Sequence, residues 1–218
     1  MQLNEHYYWN LARAFIIQEL NLDESYSDDE LYEKAKEFEL KIHFLKRLLN
    51  PRMKKSCSLI KSIWPESLLD IGAGKAYLMG HIHEQLHDTL YHCLDISTMR
   101  INRLQKVILA SDLKYQATCA DASKLPFDSK SFTCVSMFEI LEHTTNPHTI
   151  VGEAIRVSHK YCLLSVPSKE DDNPEHIQLF NRNSLMSLFE VNGINHKNAS
   201  ISIEQDSAHF YMQVRFHD

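Results

Sequence analysis

The sequence is poor in glycine. Only five occur in 218 residues, and neither glycine nor proline appears before Pro51. A stretch so short of turn-makers excludes a chain of tight hairpins and favours helix. Long apolar runs are also missing, since no window approaches the roughly 18 apolar residues of a membrane span. The opening MQLNEHYYWN has no charged segment followed by an apolar one, so no signal peptide is expected. The five cysteines (Cys57, Cys93, Cys119, Cys134 and Cys162) form no C-x-x-C pair. That argues against a disulfide frame and against a thiolate zinc site. Four of them fall in strand-like apolar runs and read as small buried thiols in a reducing compartment. The chain is therefore read as cytoplasmic, with no membrane partner.

Charge is unevenly spread. Residues 1–40 carry ten acids and three bases, whereas residues 41–65 carry seven bases and no acid. Those bases are Lys41, Lys46, Arg47, Arg52, Lys54, Lys55 and Lys61. They read as a solvated helix face beside an acidic partner segment, or as a docking patch for an anionic substrate. The net charge of −6 makes nucleic acid an unlikely partner.

Two regions differ in pattern. Residues 1–60 show apolar residues at helical spacing: Ala12, Phe15, Ile16 and Leu20, then Leu31, Ala35, Phe38, Ile42 and Leu45. Two or three helices are expected there, as an N-terminal helical cap. HYYWN offers either an aromatic wall for a site or plain core. Over residues 61–218 short apolar runs alternate with amphipathic segments, which predicts a parallel sheet covered by helices on both faces. The last two runs, ASISIEQD and AHFYMQVRFH, have no helix between them and should pair as an antiparallel hairpin.

Two of the glycines, Gly72 and Gly74, sit in LLDIGAGKAYL, between the first strand and its helix. Such a turn at the C-terminal edge of an open sheet is where these folds bind ligands. A dinucleotide loop would need glycine where Tyr77 stands, and Gly74-Lys75-Ala76 does not complete a P-loop. What remains is D-x-G-x-G with Asp70 closing the strand. Asp95 ends the second apolar run and could accept hydrogen bonds from ribose hydroxyls. Asp121 ends the third and could accept from the amine of an adenine.

With these residues the sequence resembles the class I S-adenosylmethionine-dependent methyltransferases. The resemblance covers roughly residues 66–218, through LLDIGAG, LDIS, CADASKLPFDSKSFTCVSMFEILEH, EAIRVSHKYCLLSVP and HIQLFNRNSLMSLFEVNGI. Ala76 stands where the family loop has a third glycine, and Thr133 where an acid is frequent. The resemblance implies a Rossmann-like, seven-stranded, mostly parallel sheet with an antiparallel last strand. It also implies S-adenosyl-L-methionine as cofactor. Asp70, Gly72 and Gly74 would then surround the methionine end, Asp95 would hold the ribose, Ile96 would lie against the adenine, and Asp121 and Ala122 would meet the adenine edge.

FEILEH follows the fourth strand. Glu139, Glu142 and His143 there have three readings. They cap and brace loops, or His143 is a general base, or they bind a divalent metal. His176 in PEHIQLF, just past the fifth strand, should face the same cleft as a second catalytic candidate. Together Glu139, Glu142, His143 and His176 resemble the E-x-x-E-H plus distal histidine of small-RNA 3′-end 2′-O-methyltransferases. Ubiquinone-pathway O-methyltransferases carry a similar E-x-x-E-H. The leading expectation is O-methylation of a small molecule. An RNA 2′-O-methyltransferase, or a non-catalytic S-adenosylmethionine-binding subunit, is the alternative. Oligomeric state is not legible.

Overall fold

The computed structural model describes residues 3–42, 45–47, 49–74, 76–110 and 113–217. Seven strands form one sheet: β1 (Ser67–Ile71), β2 (Leu90–Asp95), β3 (Gln116–Cys119), β4 (Phe132–Phe138), β5 (Ser158–Pro167), β6 (Ala199–Gln205) and β7 (His209–Phe216). Their spatial order is β3-β2-β1-β4-β5-β7-β6. The pairs from β3 to β5 are parallel, and β7 runs antiparallel to both β5 and β6. The order reverses between β1 and β4, so their C-terminal ends open a crevice.

Both faces of the central strands are covered. One apolar cluster joins β1, β2, α5 (Tyr77–Gln85) and α6 (Thr98–Ala110) to the N-terminal helices α1 (Leu3–His6), α2 (Trp9–Leu20) and α3 (Asp28–Glu37). The other packs α7 (Pro147–Val157) and α8 (Arg182–Glu190) against β4, β5 and β7. Burial on two faces explains why these strands read as continuous apolar runs. It also buries Cys93, Cys134 and Cys162. Cys119 departs from expectation and is exposed, because β3 is an edge strand.

Local chemistry sets the helix ends. Ser27 and Glu30 form a reciprocal capping box at the start of α3. The apolar spacing predicts one stripe through Leu45, but α3 stops at Glu37. Leu40 N–H bonds Ala35 C=O and Glu39 N–H bonds Lys36 C=O around a left-handed Glu39 (φ 50°), a Schellman closure. Ile42 and Leu45 are nevertheless buried, as their apolarity requires. Helix α4 (Pro51–Ile63) starts with Asn50 as cap and Pro51 in the first turn.

The aromatics of HYYWN are core. Tyr7, Tyr8 and Trp9 are each under a tenth exposed. Tyr8 lies on Gly80 of α5, where a Cβ would come within 2.1 Å of its ring, and its hydroxyl meets His81 Nδ1. The basic segment is engaged by acids outside residues 1–40. Arg47 pairs with Glu84, Arg52 with Glu139 at 2.8 Å, and Lys55 with Glu204. Those three bases fasten the N-terminal region onto the sheet-bearing part of the chain. Among the described residues, no helix is long and apolar enough to cross a membrane.

Candidate functional site

A cleft of about 650 Å³ opens at the C-terminal ends of β1, β2 and β4. Gly72, Gly74, Asp95, Ile96, Asp121, Ala122, Glu139 and His143 all line it. Its size suits a nucleoside-containing ligand. Gly72 and Gly74 take φ of 70° and 56°, in the left-handed region that L side chains resist. Gly72 has a second constraint, because a Cβ there would lie 2.6 Å from Ile140 Cδ1 of FEILEH. Ala76 is also left-handed (φ 50°), a conformation a third glycine would adopt without strain.

The strand-end acids are held in different ways. Asp95 is buried, with Oδ2 accepting from Gly74 N–H and Oδ1 from Ser97 N–H, both at 2.8 Å. It thereby fastens the glycine loop to β2. Asp70 is buried and accepts from Tyr91 Oη and Ser136 Oγ, both at 2.7 Å. Burial pushes its carboxyl up to about 6, against the lowering effect of those two bonds. Asp121 is exposed, with Oδ1 taking Ser123 N–H at 2.7 Å, and it lies two residues beyond β3.

FEILEH leaves β4 through Glu139, whose φ is 56°, and then makes a 3₁₀ turn over Leu141–His143. A non-glycine residue in the left-handed region is a strained feature that clusters at functional sites. The turn separates the two glutamates. Glu139 faces Arg52 at 2.8 Å, accepts from Ser165 Oγ at 2.6 Å and lies 3.4 Å from His209 Nε2. Glu142 is fully buried, and neither of its oxygens has a hydrogen-bond partner among the described residues. Burial, reinforced by the charge of Glu139, raises its carboxyl to about 8.

Glu142, His143 and His176 each bring a ligand atom within 4.8 Å of the other two. Glu139, expected in that group, is not part of it, because Arg52 and Ser165 hold its carboxylate elsewhere. His176 reaches the group because Ile177 N–H bonds Glu142 C=O at 2.9 Å, drawing the loop after β5 over the turn. Its Nδ1 lies 2.9 Å from Asp171 Oδ1, and its Nε2 is 4.0 Å from Glu142 Oε1. His143 Nδ1 bonds Glu175 C=O at 2.9 Å. A carbonyl or a carboxylate only accepts, so in both rings Nδ1 carries a proton and Nε2 is the second ring nitrogen. A histidine held this way can take a proton or ligate a metal. An unpartnered buried carboxylate beside two such rings fits a divalent cation as a donor set.

The spacing pattern missed Arg52, Ser165 and His209, and also Tyr91 and Ser136 behind Asp70. Arg52 lay within a run of bases, and the others sat in strands as ordinary strand residues. No spacing rule marks any of them.

The strand order, the glycine turn and the acid at the end of β2 together define a nucleoside-binding fold of the class I methyltransferases. Residues 69–164 match the family model of the methyltransferase domain. That match makes residues 69–164 a methyltransferase domain, of a kind that uses S-adenosylmethionine. Among solved structures it is similar to a SAM-dependent methyltransferase from Aquifex aeolicus (13% identity, 85% of this chain and 98% of that one, TM-score 0.60). It is also similar to a putative sarcosine dimethylglycine methyltransferase from Galdieria sulphuraria (11%, 75% and 85%, 0.61). A third, the [4+2]-cyclase SpnF (12%, 74% and 80%, 0.60), is named for a different reaction. At such identities the likeness shows the fold, and the reaction must be argued from the site. No curated protein matches the chain at a significant level.

Proposed function

We propose that the protein methylates a hydroxyl of a small molecule, and that Glu142, His143 and His176 act on that hydroxyl. The observation that carries this reading is the Glu142 carboxylate, wholly buried and unpartnered beside two imidazoles. The group lies at a seam. His143 lines the large cleft, and His176 lines a neighbouring cavity of about 370 Å³ together with Lys169, Asp171, Ile177 and Leu179. The two rings stand 4.8 Å apart. In this reading the cleft takes the cofactor and the neighbouring cavity takes a partly apolar acceptor.

S-adenosylmethionine supplies a sulfonium methyl, and its transfer is an in-line displacement in which positioning does much of the work. Glu142, His143 and His176 would hold a divalent cation, which would lower the pKa of a hydroxyl brought to it. Where no cation is held there, His143 is instead the candidate to take the hydroxyl proton, since its one free ring nitrogen cannot serve both roles. The engagement of Arg47, Arg52 and Lys55 by acids of the chain favours a small acceptor over a polyanion.

The test is methyl transfer to a panel of hydroxylated aromatic compounds, with and without a chelator, alongside calorimetric titration with Mn²⁺ alone. Glu142→Gln should abolish Mn²⁺ binding and leave S-adenosylhomocysteine binding intact. Turnover that survives both the chelator and Glu142→Gln would sink the metal reading and leave His143 as base. Transfer to RNA in preference to every small hydroxyl compound would overturn the acceptor class.

A further inference from the structure

His176 stands in the loop between β5 and α8, where no helix or strand directs its side chain. Two neighbours tie that loop to the 3₁₀ turn. Ile177 N–H bonds Glu142 C=O at 2.9 Å, and Gln178 Nε2 donates to Leu141 C=O at 2.9 Å and also to Thr144 C=O. These bonds fix the backbone and leave the imidazole to turn about its own side-chain torsions.

Among the described residues, one polar group lies within hydrogen-bonding distance of the ring. Asp171 Oδ1 is 2.9 Å from His176 Nδ1. The same oxygen accepts from Asn173 N–H at 3.0 Å, and Asn173 C=O accepts from His176 N–H at 3.1 Å. The carboxylate is thus located by the backbone of the loop that carries the ring, as aspartate often is in turns. The Asp171 side chain is 45% exposed, and a pair so open to water adds little to stability. Its consequence falls on the direction of the ring. The two imidazoles differ in this respect. His143 Nδ1 meets a main-chain carbonyl, that of Glu175, whereas His176 depends on a side chain. With Nδ1 beside Asp171, Nε2 lies 4.0 Å from Glu142 Oε1.

We propose that Asp171 is a positioning residue for His176. It accepts the Nδ1 proton, selects the Nδ1–H tautomer and holds Nε2 toward Glu142 as the working atom of the ring. Asp171 lines the neighbouring cavity, yet it acts through the ring and not on the acceptor. This rests on the reading that His176 belongs to the reacting group, while the tautomer itself can be read with or without a metal.

Nitrogen-15 NMR of the imidazoles at alkaline pH, where such a ring is ordinarily neutral, reports the tautomer directly. In the unaltered protein the His176 proton should sit on Nδ1. In Asp171→Ala it should move to Nε2 or divide between the two nitrogens, while His143, held by the main chain, stays as it was. Asp171→Asn keeps an oxygen acceptor and should keep the proton on Nδ1. In calorimetry with Mn²⁺ alone, Asp171→Ala should raise the Kd about 10- to 100-fold, the usual effect of losing the partner behind a ligating histidine. Asp171→Asn should raise it less. The Kd for S-adenosylhomocysteine and the urea midpoint should not change in either variant, which reports that the fold is intact. A His176 proton on Nε2 in the unaltered protein, or the same tautomer in Asp171→Ala, overturns the proposal. So does an unchanged Mn²⁺ Kd in Asp171→Ala, or a parallel loss of Mn²⁺ and S-adenosylhomocysteine binding. Failure of the unaltered protein to bind Mn²⁺ would reject the metal reading, and the tautomer would then decide the positioning role by itself.

Discussion

The two walls of the cleft are built on opposite principles. On the wall of β1 and β2, the acids have partners: Asp95 holds two backbone N–H groups and Asp70 holds two hydroxyls. On the wall of β4 and β5, Glu139 sits in a left-handed backbone and Glu142 is buried with no hydrogen-bond partner among the described residues. A satisfied wall presents a fixed surface and suits binding. A wall that keeps a buried carboxyl without a hydrogen-bond partner is costly to fold, and such costs persist where chemistry needs them. Under the proposed function, ligand holding lies on one side of the sheet's switch point and reaction on the other.

The largest expected effect lies on the unsatisfied wall. His143→Ala should lower kcat by roughly 10²- to 10⁴-fold if the ring moves a proton. The Kd for S-adenosylhomocysteine should stay unchanged, and an equal loss in both measurements would erase the distinction between the walls.

Asp70 provides the next test. Its carboxyl is raised from 3.8 to about 6, chiefly by burial. Between about pH 4 and pH 6 the unfolded chain has released this proton while the native state keeps it. The contribution of Asp70 to native stability therefore falls as pH rises through that window and is flat above it, while Glu142, raised to about 8, continues the fall at higher pH. The loss from Asp70 is at most roughly 3 kcal/mol. Denaturant titrations of the ligand-free protein should show this slope, and Asp70→Asn should remove the Asp70 part of it. An identical pH dependence in both proteins would refute the assignment.

Asp95→Ala should weaken S-adenosylhomocysteine by roughly 1–3 kcal/mol, since it leaves Gly74 N–H and the ribose hydroxyls without a charged acceptor. Gly72→Ala joins the two walls. It forces a side chain into a left-handed backbone and against Ile140, at a cost of about 1–3 kcal/mol in stability. A variant melting like the unaltered protein would show that the walls are not in contact there. Smallest is Lys55→Ala. It removes an exposed pair with Glu204 and should cost less than about 1 kcal/mol, read as a small drop in midpoint denaturant.

Much of the binding wall was legible in the chain. The D-x-G-x-G turn and the acids Asp70 and Asp95 at successive strand ends are local patterns, whereas Asp121, expected at the end of β3, lies two residues beyond it; the positions carried over from the family resemblance line the cavities at the switch point. The other wall was legible only by residue type. Glu139 and Glu142 stand three apart and read as one pair, yet the left-handed turn at Glu139 and the draw of Arg52 send their carboxylates to different surroundings. His176 was expected to face the same cleft but lines the neighbouring cavity; it still meets Glu142 and His143, because the loop after β5 is bonded to the turn.

The sequence by itself determined the order of strands and helices, the glycine turn and the antiparallel ending, since periodicity and turn chemistry act over a few residues. Tertiary structure alone decided which charges meet. Arg52 and Glu139 are 87 residues apart, Lys55 and Glu204 are 149 apart, and Tyr8 and His81 are 73 apart. Such pairs form because the sheet and its covering helices bring distant segments together to bury apolar surface. The polar partners are then chosen by position in space, which spacing along the chain does not record.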